Sequence, residues 1–289
     1  MRDNKSIEGL RVVLFLFIFL FHAYGNMFPL GWIGIDVFLV ITAYFLTKKL
    51  LKQEANQINI KQLLIKRAYR LYPPYIVVVV GMTVLYFITK KQIPGDFFSY
   101  FLFAQNFQWE FVPSCTTVPG CGHLWYLNLD FYLVVIWLFI LKFTPKNELR
   151  FVFILTIFIS VVYRSVCAIY ANSLTLSYTM PWGMLDTFSV GGLLAISKRK
   201  MSRSTPYIFL LMGVFGIIGC FYLTSKIYGS NVIDSVVLYK SAGGYAGNPF
   251  TIQIHLALVF ISFFVVWFCI SDRKKMGILS NSKLSSWGG

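Results

Sequence analysis

Eight apolar runs, at 10–28, 31–50, 72–89, 123–142, 151–171, 183–197, 206–223 and 250–271, constrain this chain more than any motif in it. Each is long enough, or nearly so, to cross hydrocarbon as a helix, which takes about 20 residues. A segment in lipid must satisfy its own backbone polar groups, which leaves helices or a closed barrel. None of the runs shows the short alternating segments of barrel strands. The sixth run is short and holds the pair Gly191-Gly192, so a partial break is expected there. The stretch "FFSYFLFAQNFQWEFV" (97–112) is aromatic but carries Gln, Asn and Glu, and reads as an interfacial helix or loop. The predicted fold is an all-α polytopic transmembrane helix bundle of about eight spans. No repeat and no low-complexity linker divides the chain, so 1–289 reads as a single domain.

Composition rules out the ordinary soluble alternative, with 57% hydrophobic and only 13% charged residues. A net charge of +15 would suggest nucleic acid in a soluble chain. Here the basic residues cluster between apolar runs, where they set orientation, and no nucleic-acid partner is expected. With the N-terminus in the cytoplasm, the outer segments hold Lys90, Lys91, Lys226 and Lys240, and Arg164 lies inside the fifth run. Every other Lys and Arg falls on the cytoplasmic side. The expectation is a multi-pass protein of the cell membrane with a cytoplasmic N-terminus, and no small-residue cleavage site follows its first run.

The outer loop of this topology carries Cys115 and Cys121 in "CTTVPGC". Their spacing suits a small disulfide in an oxidising compartment, and two separate thiols fit it equally well. Cys167, Cys220 and Cys269 lie in spans as packing residues. Three His and no His/Cys cluster at ligand spacing give a metal site no support. Nucleophile-elbow, phosphate-loop and dinucleotide motifs are all missing from the sequence.

Chemistry enters with the first run, "SIEGLRVVLFLFIFLFHAYG" (6–25). An ionisable group costs roughly 2.5–3.5 kcal/mol at the centre of a membrane helix, so Arg11 and His22 are candidate functional residues. They are eleven positions apart. On a helix they fall within about 20° of one face and about 16 Å apart along the axis. The bland alternative leaves both at the two interfaces, Arg11 snorkelling to the headgroups.

Five stretches, in order, resemble one family. "IEGLRVVLFLFIFLFH" is similar to the first helix of the integral-membrane acyltransferase family 3, with its Arg and His. "GWIGIDVFLVITAYFLT" (31–47) resembles its G-x-x-G-V-D-x-F-F-V-I-S-G-F-L helix. "KRAYRLYPPY" (66–75) resembles its R-x-x-R-L-x-P segment. "HLWYLNLDFYLV" (123–134) resembles H-x-W-S-L-x-V-E-x-Q-F-Y-L, and "MLDTFSVGGLLA" (184–195) resembles R-L-D-x-F-x-x-G-x-L-A. Thr42-Ala43 stand for Ser-Gly, Asp130 stands for Glu, two residues are missing before Phe131, and Met184 stands for Arg. The family suggests ten spans; the end, "LSNSKLSSWGG", resembles the run-in to its penultimate helix, so a C-terminal truncation is expected.

The resemblance implies O-acylation of an extracytoplasmic carbohydrate by a cytosolic acyl-CoA, usually acetyl-CoA, a donor substrate and not a permanently bound cofactor. In that picture Arg11, with Lys66, Arg67 and Arg70, suits the CoA phosphates, for which Arg pairs bidentately. His22 suits general-base work, with an ordinary pKa of about 6.5, or carries the acyl group itself. Asp36, His123, Trp125, Asp130 and Asp186 are possible supporting residues. Each has a structural alternative: an ion pair for Asp36, interfacial hydrogen bonding for His123, the aromatic belt for Trp125, and a mutual pair for Asp130 and Arg164. Asp186 would pair similarly or cap a broken helix, and His255 reads as a packing histidine. The competing class is a polytopic transporter of a small or glycan-related solute, since intramembrane charges also mark substrate pathways. A non-catalytic scaffold would leave the Arg11/His22 spacing unexplained.

Overall fold

The computed structural model describes residues 5–24, 27–28, 30–112, 117–171, 174–197, 201–228 and 249–271, and all regular structure among them is helical. In chain order the helices are α1 (Lys5–Ala23), α2 (Gly34–Leu50), α3 (Ile60–Lys90), α4 (Phe97–Phe101), α5 (Gln105–Phe111) and α6 (Trp125–Phe143). They continue with α7 (Leu149–Val166), α8 (Leu174–Thr179), α9 (Leu185–Ser197), α10 (Thr205–Tyr228) and α11 (Pro249–Ser271). All eight apolar runs are helices. Six of them, α1, α3, α6, α7, α10 and α11, are long and apolar enough to cross a membrane. The other two, α2 and α9, have 17 and 13 residues. At 1.5 Å per residue they reach about 26 and 20 Å, short of a core of about 30 Å.

These two short helices form the centre. Most of α2 and α9 is buried, and their backbones meet closely. Gly191 allows this: a Cβ there would stand 2.4 Å from the carbonyl oxygen of Val40. Small residues at helix contacts are the usual device in lipid, where no water drives apolar surfaces together and packing must do it. Gly31 serves the same purpose where the 3₁₀ turn Gly31–Ile33 abuts α1, since a Cβ would lie 2.2 Å from the Phe17 carbonyl oxygen. Polar clasps tie the outer helices to this centre. Trp137 Nε1 donates to Thr47 Oγ1 at 2.8 Å, and the Thr156 and Ser189 hydroxyls meet at 2.6 Å. Each such bond contributes about 1 kcal/mol in a membrane interior.

The sixth run is not broken as expected: it is one helix from Leu185 to Ser197, and the irregular segment lies before it. Gly191 and Gly192 lie inside α9, and the break precedes them. After α7 the chain makes a π turn (Cys167–Ala171), the short α8, and a 3₁₀ turn (Pro181–Met184) before α9 begins. Arg164 fastens this irregular segment. Its Nη2 meets Asp186 Oδ2 at 2.6 Å, its Nη1 donates to the Gly183 carbonyl, and both charged side chains are fully buried. Asp130 instead bonds Arg67 on α3. The expected Asp130–Arg164 pair is therefore absent, because α6 turns Asp130 towards α3 while Arg164 turns towards the break.

Helix α3 is peripheral. It runs 31 residues, about 46 Å, from an Asn59 cap whose Oδ1 accepts from Gln62 N. Pro73 and Pro74 lie within it. Neither has an N–H, so the carbonyls of Tyr69 and Arg70 lose their helical donors. Below this step α3 is held by Arg67–Asp130. Tyr72, at the step itself, donates its hydroxyl to the Phe101 carbonyl, and Tyr75, above it, donates to the Tyr100 carbonyl, both at 3.1 Å.

The aromatic stretch 97–112 is no span. It folds as α4 and α5, joined by a turn in which Phe103 takes a left-handed φ of 51°. Gln105 and Asn106, which made the stretch look interfacial, point inwards. Asn106 Nδ2 donates to the carbonyls of Trp125 (3.1 Å) and Thr179 (3.0 Å), and Asn128 Nδ2 donates to Gln105 Oε1 at 3.0 Å. These amides fix the start of α6. The loop on either side closes on Asp96, which accepts from Trp109 Nε1 and Val118 N, each at 2.9 Å. Burial pushes its carboxyl above the ordinary range, and those two bonds pull it partly back. Nearby, burial first and Asp96 second push the Cys121 thiol up to about 11. Its expected partner, Cys115, lies outside the described residues.

Candidate active site

Arg11 and His22 both lie on α1, in one unbroken helix, as their spacing requires. His22 is exposed in the last turn. Its ring lies 5.9 Å from that of His123 and edge-on to Phe21 at 5.2 Å. His123 opens the 3₁₀ turn (Gly122–Leu124) that leads into α6, the part of α6 pinned by Gln105 and Asn106. One imidazole therefore comes from α1 and the other from the rigid start of α6.

At the other end of the same α1 face, the Arg11 guanidinium lies over the Phe45 ring, 5.7 Å from its centre. Arg70 of α3 and Tyr126 of α6 act on it electrostatically, as does Glu8 one turn away on α1. Arg67 bonds Asp130, whose side chain is only 5% exposed. Among the described residues, Arg11 and Arg70 have no carboxylate at ion-pair distance. Two neighbouring guanidiniums without a paired anion repel each other. Lys66, in the same turn of α3, is exposed.

Three contacts thus link α1, α3 and α6: His22 with His123, Arg67 with Asp130, and Arg11 with the charge of Arg70. The remaining candidates fall elsewhere. Asp186 belongs to the Arg164 clamp. Trp125 rests its ring on Tyr178 at 4.7 Å and offers its carbonyl to Asn106, so it braces the start of α6. Asp36 is fully buried on α2, and its closest ionic neighbour is His255 Nδ1 at 3.7 Å. His255 stacks on Tyr178 (4.4 Å) and meets Trp32 edge-on (5.8 Å). It is a packing histidine, as expected, but it also faces Asp36. Sequence alone carried no signal for that partnership, since His255 stands in an otherwise apolar run. Tyr126, one turn before Asp130 on α6, packs its partly buried ring against the core.

Residues 4–287 match the family described as "Acyltransferase domain", acyltransferase family 3. The peptidoglycan O-acetyltransferase OatA of Listeria monocytogenes is 30% identical over 166 residues, covering 51% of this chain and 26% of that protein. A Staphylococcus aureus protein with a provisional O-acetyltransferase name is 26% identical over 175 residues, 53% of this chain and 28% of its own length. YrhL of Bacillus subtilis, provisionally named a peptidoglycan O-acetyltransferase, is 25% identical over 149 residues, 47% of this chain and 23% of its own. The chain spans about a quarter of the length of the curated relatives it matches. No solved structure matches it.

Proposed function

The chain belongs to acyltransferase family 3, and on that premise we propose that it is a membrane O-acyltransferase moving an acyl group, in the first instance acetyl, from cytosolic acyl-CoA to a hydroxyl of an extracytoplasmic glycan. The relatives' names support the acetyl group and a peptidoglycan-like acceptor. One observation carries the reading: a single face of α1 ends in unpaired guanidinium charge at one end and a pair of imidazoles at the other. In this reading Arg11 and Arg70, with Lys66 at the rim, take the CoA phosphates. Arg67 is already committed to Asp130 and ties α3 to α6. His22 takes the proton of the acceptor hydroxyl as the acyl C–O bond forms and the C–S bond breaks, and the CoA thiolate leaves on the cationic side.

Purified protein given radiolabelled acetyl-CoA and soluble peptidoglycan fragments should label the fragments. Flux of fragments across proteoliposomes with no consumption of acetyl-CoA would replace the enzyme with a transporter. Within the enzyme reading, Arg11→Lys keeps the charge but loses the fork that pairs with phosphate. Acetyl-CoA binding should weaken by about 1–3 kcal/mol. Unchanged donor affinity in both Arg11→Lys and Arg11→Ala would remove Arg11 from the donor site.

The same reading places the N-terminus and Arg11 on the cytoplasmic side, supported by the crowding of Lys and Arg in the segments 48–70, 142–150 and 273–283. A cysteine at Lys52 should react with an impermeant maleimide only after the cells are opened, and one at Lys91 should react in intact cells. The reverse pattern would put Arg11 and Arg70 on the outer side and remove the cytosolic donor.

A further inference from the structure

The first three turns of α3 carry a face that the described residues leave uncovered. At about 100° per residue, Lys61, Ile65, Tyr69, Gln62, Lys66 and Arg70 follow one another round one half of the helix. All six are exposed, Tyr69 by 79% and Ile65 by 43%. The opposite half packs inwards: Ile60, Leu63 and Leu64 lie on the core, and Arg67 bonds Asp130. The exposed half therefore holds three cations, and among the described residues none of them has a carboxylate at ion-pair distance. Residues 58–72 contain no Asp or Glu. Helix length places this face against the bilayer. The uncharged stretch 71–89 of α3 fills about 28 Å, close to the depth of a hydrocarbon core. Residues 60–70 extend about 16 Å further, which carries them through a headgroup layer of about 5–8 Å. Tyr69 stands at that boundary, where a ring with a polar tip is favoured. Ile65 lies one turn further out, flanked by Lys61 and Lys66.

We propose that this face of α3 binds the anionic headgroups of phospholipids in the adjoining leaflet. Phosphate oxygens accept from Lys61, Lys66 and Arg70, while Tyr69 and Ile65 pack on the glycerol and upper acyl carbons. A zwitterionic headgroup brings its own ammonium, for which this face offers no carboxylate. The attraction therefore selects lipid of net negative charge. Orientation in the membrane requires only that Lys and Arg be near its surface. Here the charge is combined with an exposed ring and an exposed aliphatic chain on the same half of one helix, which is what a lipid presents to. Arg70 closes the arc on the side of Arg11, so bound lipid and acyl donor are neighbours there. Lys61 lies at the opposite edge and belongs to the lipid face alone.

The test is native mass spectrometry of the full chain in a neutral detergent, titrated with phosphatidylglycerol or with phosphatidylcholine. Phosphatidylglycerol should bind at least about tenfold more tightly. Lys61→Gln together with Lys66→Gln should weaken it by about fivefold per cation and leave phosphatidylcholine unchanged. Lys61→Arg with Lys66→Arg keeps the charge and should bind as wild type does; a loss there overturns a site built on charge. Lys49→Gln with Lys52→Gln removes the same charge from exposed positions around the end of α2, and should cost less than about twofold. Equal losses from the two Gln pairs would show a diffuse field and overturn the site, as would equal binding of the two lipids. Full displacement of phosphatidylglycerol by acetyl-CoA would give the face to the donor and overturn it as well. All the substituted side chains are exposed, so folding is not at stake. Acyl transfer is judged separately, by the labelled-acetyl assay.

Discussion

His22→Ala should lose acyl transfer by a factor of about 10²–10⁴, the usual contribution of a positioned general base, while the protein still folds and inserts. The expectation of intact folding follows from position. His22 is exposed in the last turn of α1 and holds no hydrogen bond among the described residues, so its removal leaves no buried polar group unmet. His22→Asn tests polarity separately from proton transfer, and it should be as inactive as Ala. His123→Ala should fall less far, because His123 flanks His22 from the start of α6 and is not on the α1 face with Arg11. His255→Ala is not a neutral control, since it leaves Asp36 buried without its ionic neighbour. The measurement is acetyl transfer at matched expression. Near-normal transfer by well-folded His22→Ala would end the general-base role.

The largest expected effect on stability belongs to Arg164→Ala. Both partners of the Arg164–Asp186 pair are fully buried. Deleting the guanidinium strands a carboxylate and the Gly183 carbonyl in a low-dielectric interior, which typically costs about 3–5 kcal/mol. Arg164→Lys should recover little, because Nη1 and Nη2 reach two different acceptors and a single ammonium cannot hold both. The informative comparison is with the double variant, Arg164→Met together with Asp186→Leu. Replacing both charges by apolar groups of similar size is often close to neutral, so it should melt above either single variant. Thermal melts in detergent read this directly. Single variants melting with wild type would show that the clamp does not hold the break between α7 and α9.

How much of this was legible in the sequence depends on which property each feature rests upon. Run length and hydropathy found every long helix among the described residues, because the solvent for these segments is hydrocarbon and the requirement is local. Helical geometry also put Arg11 and His22 on one face, since both lie on a single element. Partners between helices were not legible. Arg67 and Arg70 are equivalent in "KRAYRLYPPY", and only the rotation of α3 against α6 decides that Arg67 meets Asp130. The helices here are apolar on nearly every side, so no stripe in the sequence reports that rotation. The break before α9 was misplaced for a related reason. A glycine pair reads as a weak point, but Gly191 is where α2 and α9 come closest, and such contact strengthens a helix pair in lipid.

The proline step in α3 has a mechanical consequence. Two missing backbone donors make residues 69–74 the most compliant part of an otherwise stiff rod. The rod is fastened on both sides of that soft spot, by the Tyr75 hydroxyl above and, below, by Arg67–Asp130 and the packing of Ile60, Leu63 and Leu64 against the core. Bending of α3 is therefore confined to the short stretch between two fixed ends, and Arg70 is the cation that lies within it.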